Sequence, residues 1–321
     1  MRQILKIAFL MDPLEKLDLK GDTTFALALE AQNRGHNIFF FTPDDLILKS
    51  NKVFANICKI ELSSIDNLEQ FVYHDKIIDQ LNNYDVVMMR QDPPFDLSYI
   101  TATHILEKLP KSTLVVNNPR EVRNSPEKIF VTNFPHLVPN TLITRDLESI
   151  ISFRKEFKDI IVKPLYGNGG QGVFHVLPED ENFNSILEMF FNQNREPLII
   201  QEYLKDVRNG DKRIILLNGE IVGAINRVPQ KGESRSNMHV GGKAEKTILT
   251  ERDKFICKEI SQSLKDRELF FVGIDIIGDF ITEINVTSPT GIREIKSHDS
   301  IFIEKLFWDF IEDKKLTNHF S

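Results

Sequence analysis

The sequence is poor in cysteine, since only Cys58 and Cys257 occur among 321 residues. Two cysteines so far apart provide no disulfide framework, and free buried thiols in a reducing cytosol are the simplest interpretation. No apolar run approaches the roughly 20 residues that a membrane-spanning helix needs. The apolar segment Ile4–Met11 is interrupted by Lys6 and closed by Asp12-Pro13, which favours a buried first strand over a signal peptide. These absences predict a soluble cytoplasmic protein without a membrane partner.

An excess of basic residues is also missing. The chain has 40 Lys and Arg against 47 Asp and Glu, a net charge of −7. This balance argues against nucleic acid as the main partner, although it permits a local basic pocket. A composition that is 41% hydrophobic and 27% charged is ordinary for a globular protein and excludes extensive disorder. The length allows two or three domains.

The first part of the chain alternates strands with helices. Continuous apolar strands in such an alternation predict a parallel sheet covered on both faces, which binds ligands at the carboxyl ends of its strands. The segments Met11–Pro13 and Arg90–Pro94 fall at such ends. The predicted strands are Leu5–Met11, Asn37–Phe41, Asp85–Arg90 and Leu114–Val116, and the predicted helices are Thr23–Asn33 and Ser98–Lys108.

The pattern changes near Asn117–Arg123 and again after Tyr203. A second block is predicted to hold the helices Pro126–Asn133, Asp146–Phe157 and Asn182–Asn192 and the strands Asn140–Thr144, Ile160–Pro164, Val173–Val176 and Leu198–Tyr203. A third, more antiparallel block is predicted to hold the strands Lys212–Leu217 and Glu220–Val228, joined at Asn218-Gly219, and the helices Glu251–Lys265 and Ser300–Lys314. We therefore predict three units, at 1–122, 123–203 and 204–321.

A hairpin in the third block carries the densest chemistry. Its strands are predicted at Val272–Ile277 and Phe280–Val286. Glu283 and Asn285 are two residues apart and share one face of their strand. Asp275 joins them there if the connection is odd in length, as in a three-residue loop with a glycine-assisted bulge, whereas a two-residue turn points it to the other face. Two carboxylates with an amide oxygen suit Mg²⁺ rather than Zn²⁺, and an ordinary acidic surface hairpin is the alternative.

A lysine followed by a glycine-rich loop predicts a phosphate site. Lys163 ends an apolar strand, where its ammonium is placed to neutralise phosphate oxygens; a water-exposed lysine is the alternative. Gly167, Gly169 and Gly170, with Gly172, let backbone amides turn toward an anion. The loop lacks the pattern GxxxxGK[ST] and precedes a strand, so it is neither a P-loop nor a Rossmann fingerprint.

Two further strand ends offer polar contacts for a nucleotide. The segment Gln201-Glu202-Tyr203-Leu204 offers backbone groups that can read an adenine edge, and Glu202 is suited to ribose hydroxyls. Asp211 and Arg213 share a strand face, which suits phosphate recognition by Arg213 with Asp211 holding it or a metal-bound water. Arg227 is a candidate to stabilise a transferring phosphoryl group. An ordinary strand end and structural salt bridges are the alternatives.

The substrate side is predicted from residues near the hairpin and in the first unit. Ser288, Thr290 and Arg293 follow the metal-ligand candidates and are placed to hold a substrate carboxylate. Arg90, beside the turn DPPFD, is a candidate to hold another, with a surface arginine as the alternative. The segment Pro229–Glu245 has three glycines and almost no apolar anchor, which predicts a mobile lid rather than a disordered insert.

Together these segments resemble the ATP-grasp superfamily, and within it the bacterial glutathione synthetase family, over nearly the whole chain. The motifs are MDP at 11–13, MRQDPPFD at 89–96, EKIF at 127–130, IIVKPL at 160–165, GNGGQGVF at 167–174, QEYL at 201–204, GDKRI at 210–214, RVPQKGESRSN at 227–237, GG at 241–242 and GIDIIGDFITEINVTSPTGIRE at 273–294. The last motif and DPPFD are the specific ones. Glu202, Asn168 and Gln171 depart from the family pattern in details of cofactor fit.

The resemblance implies an α/β fold, with an N-terminal parallel-sheet domain followed by a two-part ATP-grasp domain of mixed and antiparallel sheets. It implies that ATP binds between the second and third units, at Lys128, Lys163 and the strand end Glu202–Leu204. It implies that Asp275, Glu283 and Asn285 hold Mg²⁺, with Mn²⁺ as an alternative, and that Arg90 contacts substrate. The family assembles as a homotetramer, which predicts the same here.

The implied reaction joins γ-glutamylcysteine and glycine at the expense of ATP, through an acyl phosphate, and gives glutathione, ADP and phosphate. Lys128, Lys163 and Arg213 are then expected to offset phosphate charge, and Arg227 with the lid to stabilise the transition state and to keep water from the acyl phosphate. Another ATP-grasp carboxylate–amine ligase is an alternative, against which DPPFD and SPTGIRE argue. A non-catalytic ATP-binding protein of the same fold is a second alternative, against which the intact metal trio argues.

Overall fold

The framework of the molecule is three β-sheets, seen in a computed structural model that describes residues 3–16, 18–19, 21–65, 68–230, 232, 235–236 and 241–318. The first sheet is built by β1 (Lys6–Leu10), β2 (Asn37–Phe41), β3 (Leu46–Lys49), β4 (Lys52–Ile65), β5 (Leu68–Gln80), β6 (Val86–Met89) and β7 (Leu114–Val116), with α1 (Thr23–Asn33), α2 (Leu97–Leu106) and α3 (Pro119–Asn124) between or after them. Strands β1, β2, β6 and β7 are parallel, as predicted.

Three of the seven strands of this first sheet were not predicted from the sequence. Strands β3, β4 and β5 form an antiparallel meander beside β2. The reason lies in β5, where apolar and polar side chains follow no regular alternation and no one face is buried: the adjacent residues Ile77 and Ile78 are both exposed, at 53% and 71%. A strand that buries neither face lacks the two-residue periodicity by which strands are recognised.

Helix α1 shows why the predicted boundaries in this unit agree with the structure. Asp22 caps the helix by accepting a hydrogen bond from the Phe25 amide at 2.5 Å. Gly35, with φ of +89°, turns the chain out of the helix into β2. Phe25, Leu27 and Ala31 are buried against the sheet. Local cap signals and an apolar stripe thus fix this helix from both ends.

The second sheet and its helices form a small layered unit with its own apolar core. Its elements are α4 (Glu127–Phe130), β8 (Thr141–Thr144), α5 (Leu147–Phe157), β9 (Ile160–Pro164), β10 (Phe174–Val176), α6 (Phe183–Gln193) and β11 (Leu198–Glu202). The strand order is β10-β9-β11-β8, and every pair is antiparallel. The predicted helix at Pro126–Asn133 is shorter in the structure, because α4 gives way to a 3₁₀ turn at Val131–Asn133.

The third sheet is antiparallel throughout, in the order β14-β13-β12-β15-β16. Its elements are β12 (Asp211–Leu217), β13 (Glu220–Val228), β14 (Lys243–Lys246), α7 (Glu251–Asp266), β15 (Phe271–Ile277), β16 (Phe280–Asn285), α8 (Ile292–Asp299) and α9 (Ile303–Asn318). Ile214, Leu216 and Ile274 pack with Ile256 and Ile260 of α7 in one buried cluster. On the opposite face, Ile215, Leu217 and Phe271 join a second buried cluster with α8 and α9, and the polar pair Arg213 and Asp275 occupies one end of that face.

Helix α9 ties the end of the chain to its beginning. Trp308 is fully buried, and its indole Nε1 donates to the carbonyl oxygen of Leu27 in α1 at 2.7 Å. Phe307 and Ile311 join the core cluster of β1 and α1. None of the helices within the described ranges combines the length and the apolar character needed to cross a membrane.

Candidate active site

A cavity of about 600 Å³ lies where the second and third sheets face each other, with loops of the first unit closing one end. A volume of this size is typical of sites for small ligands. The predicted residues that line it are Lys128, Lys163, Gly167, Gly169, Gly170, Gln201, Glu202, Tyr203, Leu204, Asp211, Arg213, Arg227, Asp275, Glu283, Asn285, Ser288 and Thr290. The fold therefore gathers residues that are up to 162 positions apart, from Lys128 to Thr290.

In the acidic hairpin, a bulge in the strand brings Asp275 to the face of Glu283 and Asn285, and no longer loop is needed. Ile277 pairs with Phe280 across a two-residue turn, which alone would set Asp275 opposite Thr282. The register then shifts by one residue, so Asp275 pairs with Glu283 and shares its face. The Thr282 hydroxyl donates to the Asp275 carbonyl oxygen at 3.2 Å. Asp275, Glu283 and Asn285 thus lie together, by a route between the two alternatives that the sequence left open.

Two buried arginines surround Asp275. Arg213 lies opposite Asp275 on β12 and donates to both of its carboxylate oxygens, at 2.5 and 2.9 Å. Arg227 lies 3.0 Å from the same carboxylate and donates to Asp211 at 2.5 Å. Burial opposes ionisation of Asp275, yet Arg213 and Arg227 outweigh it and hold the pKa of this carboxyl well below its usual range. Asp275 is therefore an anion at any physiological pH.

The pKa of Asp211 is shifted upward, in contrast to that of Asp275. Burial raises its pKa to about 6, against the attraction of Arg227. Its Oδ2 accepts from the Ser236 hydroxyl at 2.7 Å, while its Oδ1 is buried and has no hydrogen-bond partner among the described residues. A buried acceptor left without a donor carries a desolvation cost, and a ligand that supplies the donor removes it.

Two lysines face this sheet from the second unit. Lys128 of α4 donates to the Gly167 carbonyl oxygen at 2.5 Å, contacts Glu127, and lies 3.4 Å from Glu283. Burial opposes its charge, but Glu283 and Glu127 prevail and hold the pKa of Lys128 above its ordinary value. Lys163 is the last residue but one of β9, and its Nζ lies 4.0 Å from the Glu283 carboxylate. Burial lowers the pKa of Lys163. The two ammonium groups and the Glu283 carboxylate form one cluster at the cavity floor.

The glycine-rich loop needs its glycines for backbone reasons. Gly169 and Gly170 have φ of +62° and +77°, in the region that side chains disfavour. Gly167 is constrained by space instead, since a Cβ there would lie 2.6 Å from Pro164 Cγ. The loop lies along the cavity wall beside Lys163, consistent with backbone amides facing a bound anion.

The far end of the cavity is formed by the end of β11. Gln201 is buried and donates to the Thr141 hydroxyl at 3.0 Å. Glu202 accepts from the Asn140 amide at 2.9 Å, and the Tyr203 ring stacks on His175 with centroids 3.8 Å apart. Ile161, Leu204 and Val207 line the cavity beside these polar groups, an arrangement that suits a flat ring with polar edges.

The predicted substrate residues divide into two groups. Ser288 and Thr290 line the cavity, and the Ser288 hydroxyl donates to Asp92 at 2.5 Å. Arg90 is 4% exposed and lies behind the wall, where it donates to the Pro289 carbonyl oxygen at 3.1 Å. Neither Arg90 nor Arg293 is among the described residues that line the cavity.

The predicted lid at 229–245 falls partly outside the described residues, at 231, 233–234 and 237–240. Of its described part, Ser236 is buried on Asp211, and Arg235 donates to the Gly170 carbonyl oxygen at 3.3 Å. The segment thus reaches both the third sheet and the glycine-rich loop.

Several cavity residues were not singled out from the sequence. Glu127 holds Lys128, and its only signal was its place beside that lysine in EKIF. Asp18 and Asp22 line the end that the first unit closes, in a segment to which the sequence analysis assigned no role. Nothing in the sequence links these positions to the third sheet.

The donor set fits a hard divalent cation. Asp275, Glu283 and Asn285 offer oxygens from one face of the hairpin, and carboxylate and amide oxygens are the ligands of Mg²⁺ and Mn²⁺. Within the described ranges there is no group of three His, Cys, Asp or Glu side chains placed to hold a metal ion. The predicted trio is consistent with that finding because its third member is an asparagine.

Two family models cover most of the chain. The model of the prokaryotic glutathione synthetase N-terminal domain matches residues 5–123, and that of the prokaryotic glutathione synthetase ATP-grasp domain matches residues 127–300. A glutathione synthetase of Mesorhizobium japonicum is 58% identical over 311 residues, which are 97% of this chain and 99% of the relative. One of Brucella melitensis is 55% identical with the same coverage.

Solved structures share the fold at much lower identity. A crystal structure of D-cycloserine synthetase superposes with a TM-score of 0.68 at 12% identity, covering 96% of this chain and 99% of the other. The ATP-grasp ligase PsnB, complexed with a phosphomimetic variant of its minimal precursor, Mg and ADP, gives 0.61 at 15% identity, covering 98% and 100%. The predicted α/β fold class is confirmed, and the chain belongs to the prokaryotic glutathione synthetase family.

Proposed function

We propose that the protein is an ATP-dependent ligase that joins γ-glutamylcysteine to glycine and releases glutathione, ADP and phosphate. The observation that carries this proposal is the cavity floor. There Lys128 and Lys163 of the second unit meet the Asp275–Glu283 face of the third sheet. Membership of the family supports the substrate assignment, since relatives that match almost the whole chain carry the name glutathione synthetase.

The chemistry requires activation because a carboxylate is a poor electrophile. An oxygen of the cysteinyl carboxylate attacks the γ-phosphorus of ATP, the bond to the ADP oxygen breaks, and an acyl phosphate forms. The glycine amine then attacks the acyl carbon, phosphate leaves, and the nitrogen loses a proton. Both steps depend on positioning and charge neutralisation more than on a protein base.

The basic residues of the cavity are suited to that task. We assign Lys128, Lys163 and Arg213 to the charge of the phosphates and Arg227 to the transferring group. Arg213 and Arg227 are both buried and held by carboxylates, so little reorganisation is needed when charge develops. The glycine-rich loop and the lid are assigned to exclude water, which would hydrolyse the acyl phosphate.

Asp275, Glu283 and Asn285 would hold the divalent cation, Mg²⁺ or Mn²⁺. Such an ion, when bound, neutralises phosphate oxygens and orients them for in-line displacement. The contacts of Lys128 with Glu283 and of Arg213 with Asp275 hold these carboxylates in place in the free protein.

The remaining assignments concern nucleotide, substrate and assembly. The adenine is assigned to the strand end Gln201–Leu204, and the dipeptide to Ser288 and Thr290. Arg90 would act from behind the wall that carries these two residues, and the substrate role of Arg293 is retained as a prediction from the sequence. The division into units 1–122, 123–203 and 204–321, the homotetramer and the cytoplasmic location are retained as predictions from the sequence.

Phosphate release from ATP and Mg²⁺ tests the proposal. γ-Glutamylcysteine and glycine are supplied to the purified protein singly and together. We expect release only with both, together with a product of the mass of glutathione. Release with another acid–amine pair would keep the ligase and replace the substrate. ATP binding without release for any pair would indicate a non-catalytic protein of this fold.

A further inference from the structure

One aromatic pair joins the glycine-rich loop to the first unit. The rings of Phe95 and Tyr166 are stacked, with centroids 6.2 Å apart and planes 17° apart. Phe95 belongs to the loop between β6 and α2, and Tyr166 directly precedes Gly167. Phe95 also packs on Tyr99 of α2 at 5.1 Å, and Tyr99 is buried in the core. The pair therefore connects two loops that border different parts of the cavity.

In the first unit, a short and stiff segment joins Phe95 to the cavity wall that carries Ser288. Asp92 is three residues before Phe95 and accepts from the Ser288 hydroxyl at 2.5 Å. Pro93-Pro94 lies between them, and each proline ring fixes one φ angle. Asp92 and Pro93 both line the cavity. A ligand that contacts this wall thus sets the position of Phe95.

On the other side, Tyr166 is coupled to the phosphate end. The neighbouring Gly167 carbonyl oxygen accepts from Lys128 Nζ at 2.5 Å. Gly167 lies close against the Pro164 ring, since a Cβ there would lie 2.6 Å from Pro164 Cγ. Movement of the Tyr166 ring is therefore transmitted to Gly167 and to the lysine that binds it.

The contact between these loops is incompletely packed. A cavity of about 20 Å³ lies between them, lined by Phe95, Tyr166, Ser125 and Thr287 among others. Protein interiors are close-packed, and this void has about the volume of one water molecule, so the two rings meet at the border of a loosely packed contact.

We propose that the Phe95–Tyr166 stack is a positioning contact that couples binding of the dipeptide substrate to closure of the glycine-rich loop over the nucleotide. The inference rests on the proposed function, since the dipeptide is its effector. A dipeptide on the Asp92 wall fixes Phe95, which holds Tyr166 and the loop that follows it. Because coupling between two binding sites is reciprocal, the nucleotide tightens the dipeptide by the same factor.

The test measures that factor directly. Isothermal titration calorimetry gives the Kd of Mg²⁺ with the non-hydrolysable analogue AMP-PNP, with and without saturating γ-glutamylcysteine. The full-length protein is compared with Tyr166→Leu, Phe95→Leu and the double variant. Tyr166→Phe is the matched control, because it keeps the ring and removes only the hydroxyl.

We expect the dipeptide to tighten nucleotide binding in the unaltered protein and in Tyr166→Phe. Each leucine variant should lose roughly 2- to 10-fold of that tightening, the contribution of an aromatic pair, and the double variant should lose no more than either single change. The inference is overturned if the leucine variants weaken nucleotide binding equally with and without dipeptide, because a merely structural contact does that. It is also overturned if the unaltered protein shows no tightening.

Phosphate release, measured on the same samples, tests the proposed function separately. If the unaltered protein releases phosphate without the dipeptide, or does not bind it, the substrate assignment fails and the coupling fails with it. If phosphate release requires both co-substrates while the leucine variants keep full tightening, only the coupling fails.

Discussion

Glu283 is the residue at which the cavity's two walls meet. It pairs with Asp275 on the sheet and lies 3.4 Å from Lys128 of the facing unit. We expect Glu283→Gln to lower ligation at least 100-fold, the scale of removing one group that stabilises transition-state charge. Because the side chain is partly exposed, the melting temperature should change by only a few degrees. Phosphate-release kinetics and thermal denaturation measure the two effects.

An exposed carboxylate of the first sheet supplies the control for that change. Glu61 carries a comparable carboxylate on the exposed face of β4, where it pairs with His74. Glu61→Gln should leave ligation unchanged. Full Mg²⁺-dependent activity in Glu283→Gln would contradict the metal assignment.

Asp45 provides a pH-dependent contribution to stability far from the cavity. Burial opposes its ionisation, but hydrogen bonds from the Thr42 amide and hydroxyl and the Lys76 ammonium hold its pKa below the ordinary 3.8. The folded state thus binds the proton less readily than the unfolded chain. The stability gained is fully present above about pH 4 and is lost as the pH falls through the lowered folded pKa.

We therefore expect Asp45→Asn to lower the free energy of unfolding by roughly 1 to 2 kcal/mol at pH 7, the range found for a cap residue. The difference should shrink as the pH drops below about 4. Urea denaturation at several pH values measures it. Asp44→Asn, at the exposed neighbouring position, is the matched control. If the variant's free energy of unfolding is still lower by the same amount at pH 2, the charge of Asp45 is not the cause of the difference.

At the scale of single elements, β16 makes a geometric prediction through its bulge. Deleting Thr282 gives a regular pairing in which Glu283 still lies opposite Asp275. Deleting Ile284 instead turns Asn285 toward the α7 side, into an apolar core. We expect the Thr282 deletion to fold and retain Mg²⁺-dependent nucleotide binding, while the Ile284 deletion loses both. Circular dichroism and calorimetry compare them; equal damage from both would refute the bulge interpretation.

The lid gives a second prediction at this scale. Ser236 and Arg235 hold it to Asp211 and to the glycine-rich loop. Removing residues 231–241 should raise ATP hydrolysis relative to ligation, since water then reaches the acyl phosphate. The ratio of phosphate to tripeptide measures this loss of coupling. Ser236→Ala, which removes one anchor and keeps the segment, should show a smaller rise, and tight coupling in the trimmed protein would argue against a lid.

Elements were predictable where their signals are local. Gly35 ends α1, and Asn218-Gly219 marks the hairpin between β12 and β13. The bulge at Thr282 was not predictable, because it depends on which residues of β15 lie opposite. The hairpin β4–β5 was not predicted because the apolar residues of β5 are exposed and mark no buried face.

At the scale of the whole molecule, the sequence predicted the family and the fold class, and the comparisons confirm both. The motifs that carried this prediction are short and continuous. Contacts such as Asp92 with Ser288, 196 residues apart, could not be read from the sequence because only the packing of the units brings them together. The homotetramer stays a prediction, which light scattering on the purified chain of 37.1 kDa measures.

The floor of the cavity contains equal numbers of cations and carboxylates. The four cations are Lys128, Lys163, Arg213 and Arg227, and the four carboxylates in contact with them are Glu127, Glu283, Asp275 and Asp211. A site balanced in this way has no strong field to draw an anion from a distance, and the chain as a whole carries −7. Capture of ATP should then depend on unaided diffusion. Stopped-flow association rates should change less than about threefold between 20 and 300 mM salt, whereas a site with unbalanced positive charge would slow steeply.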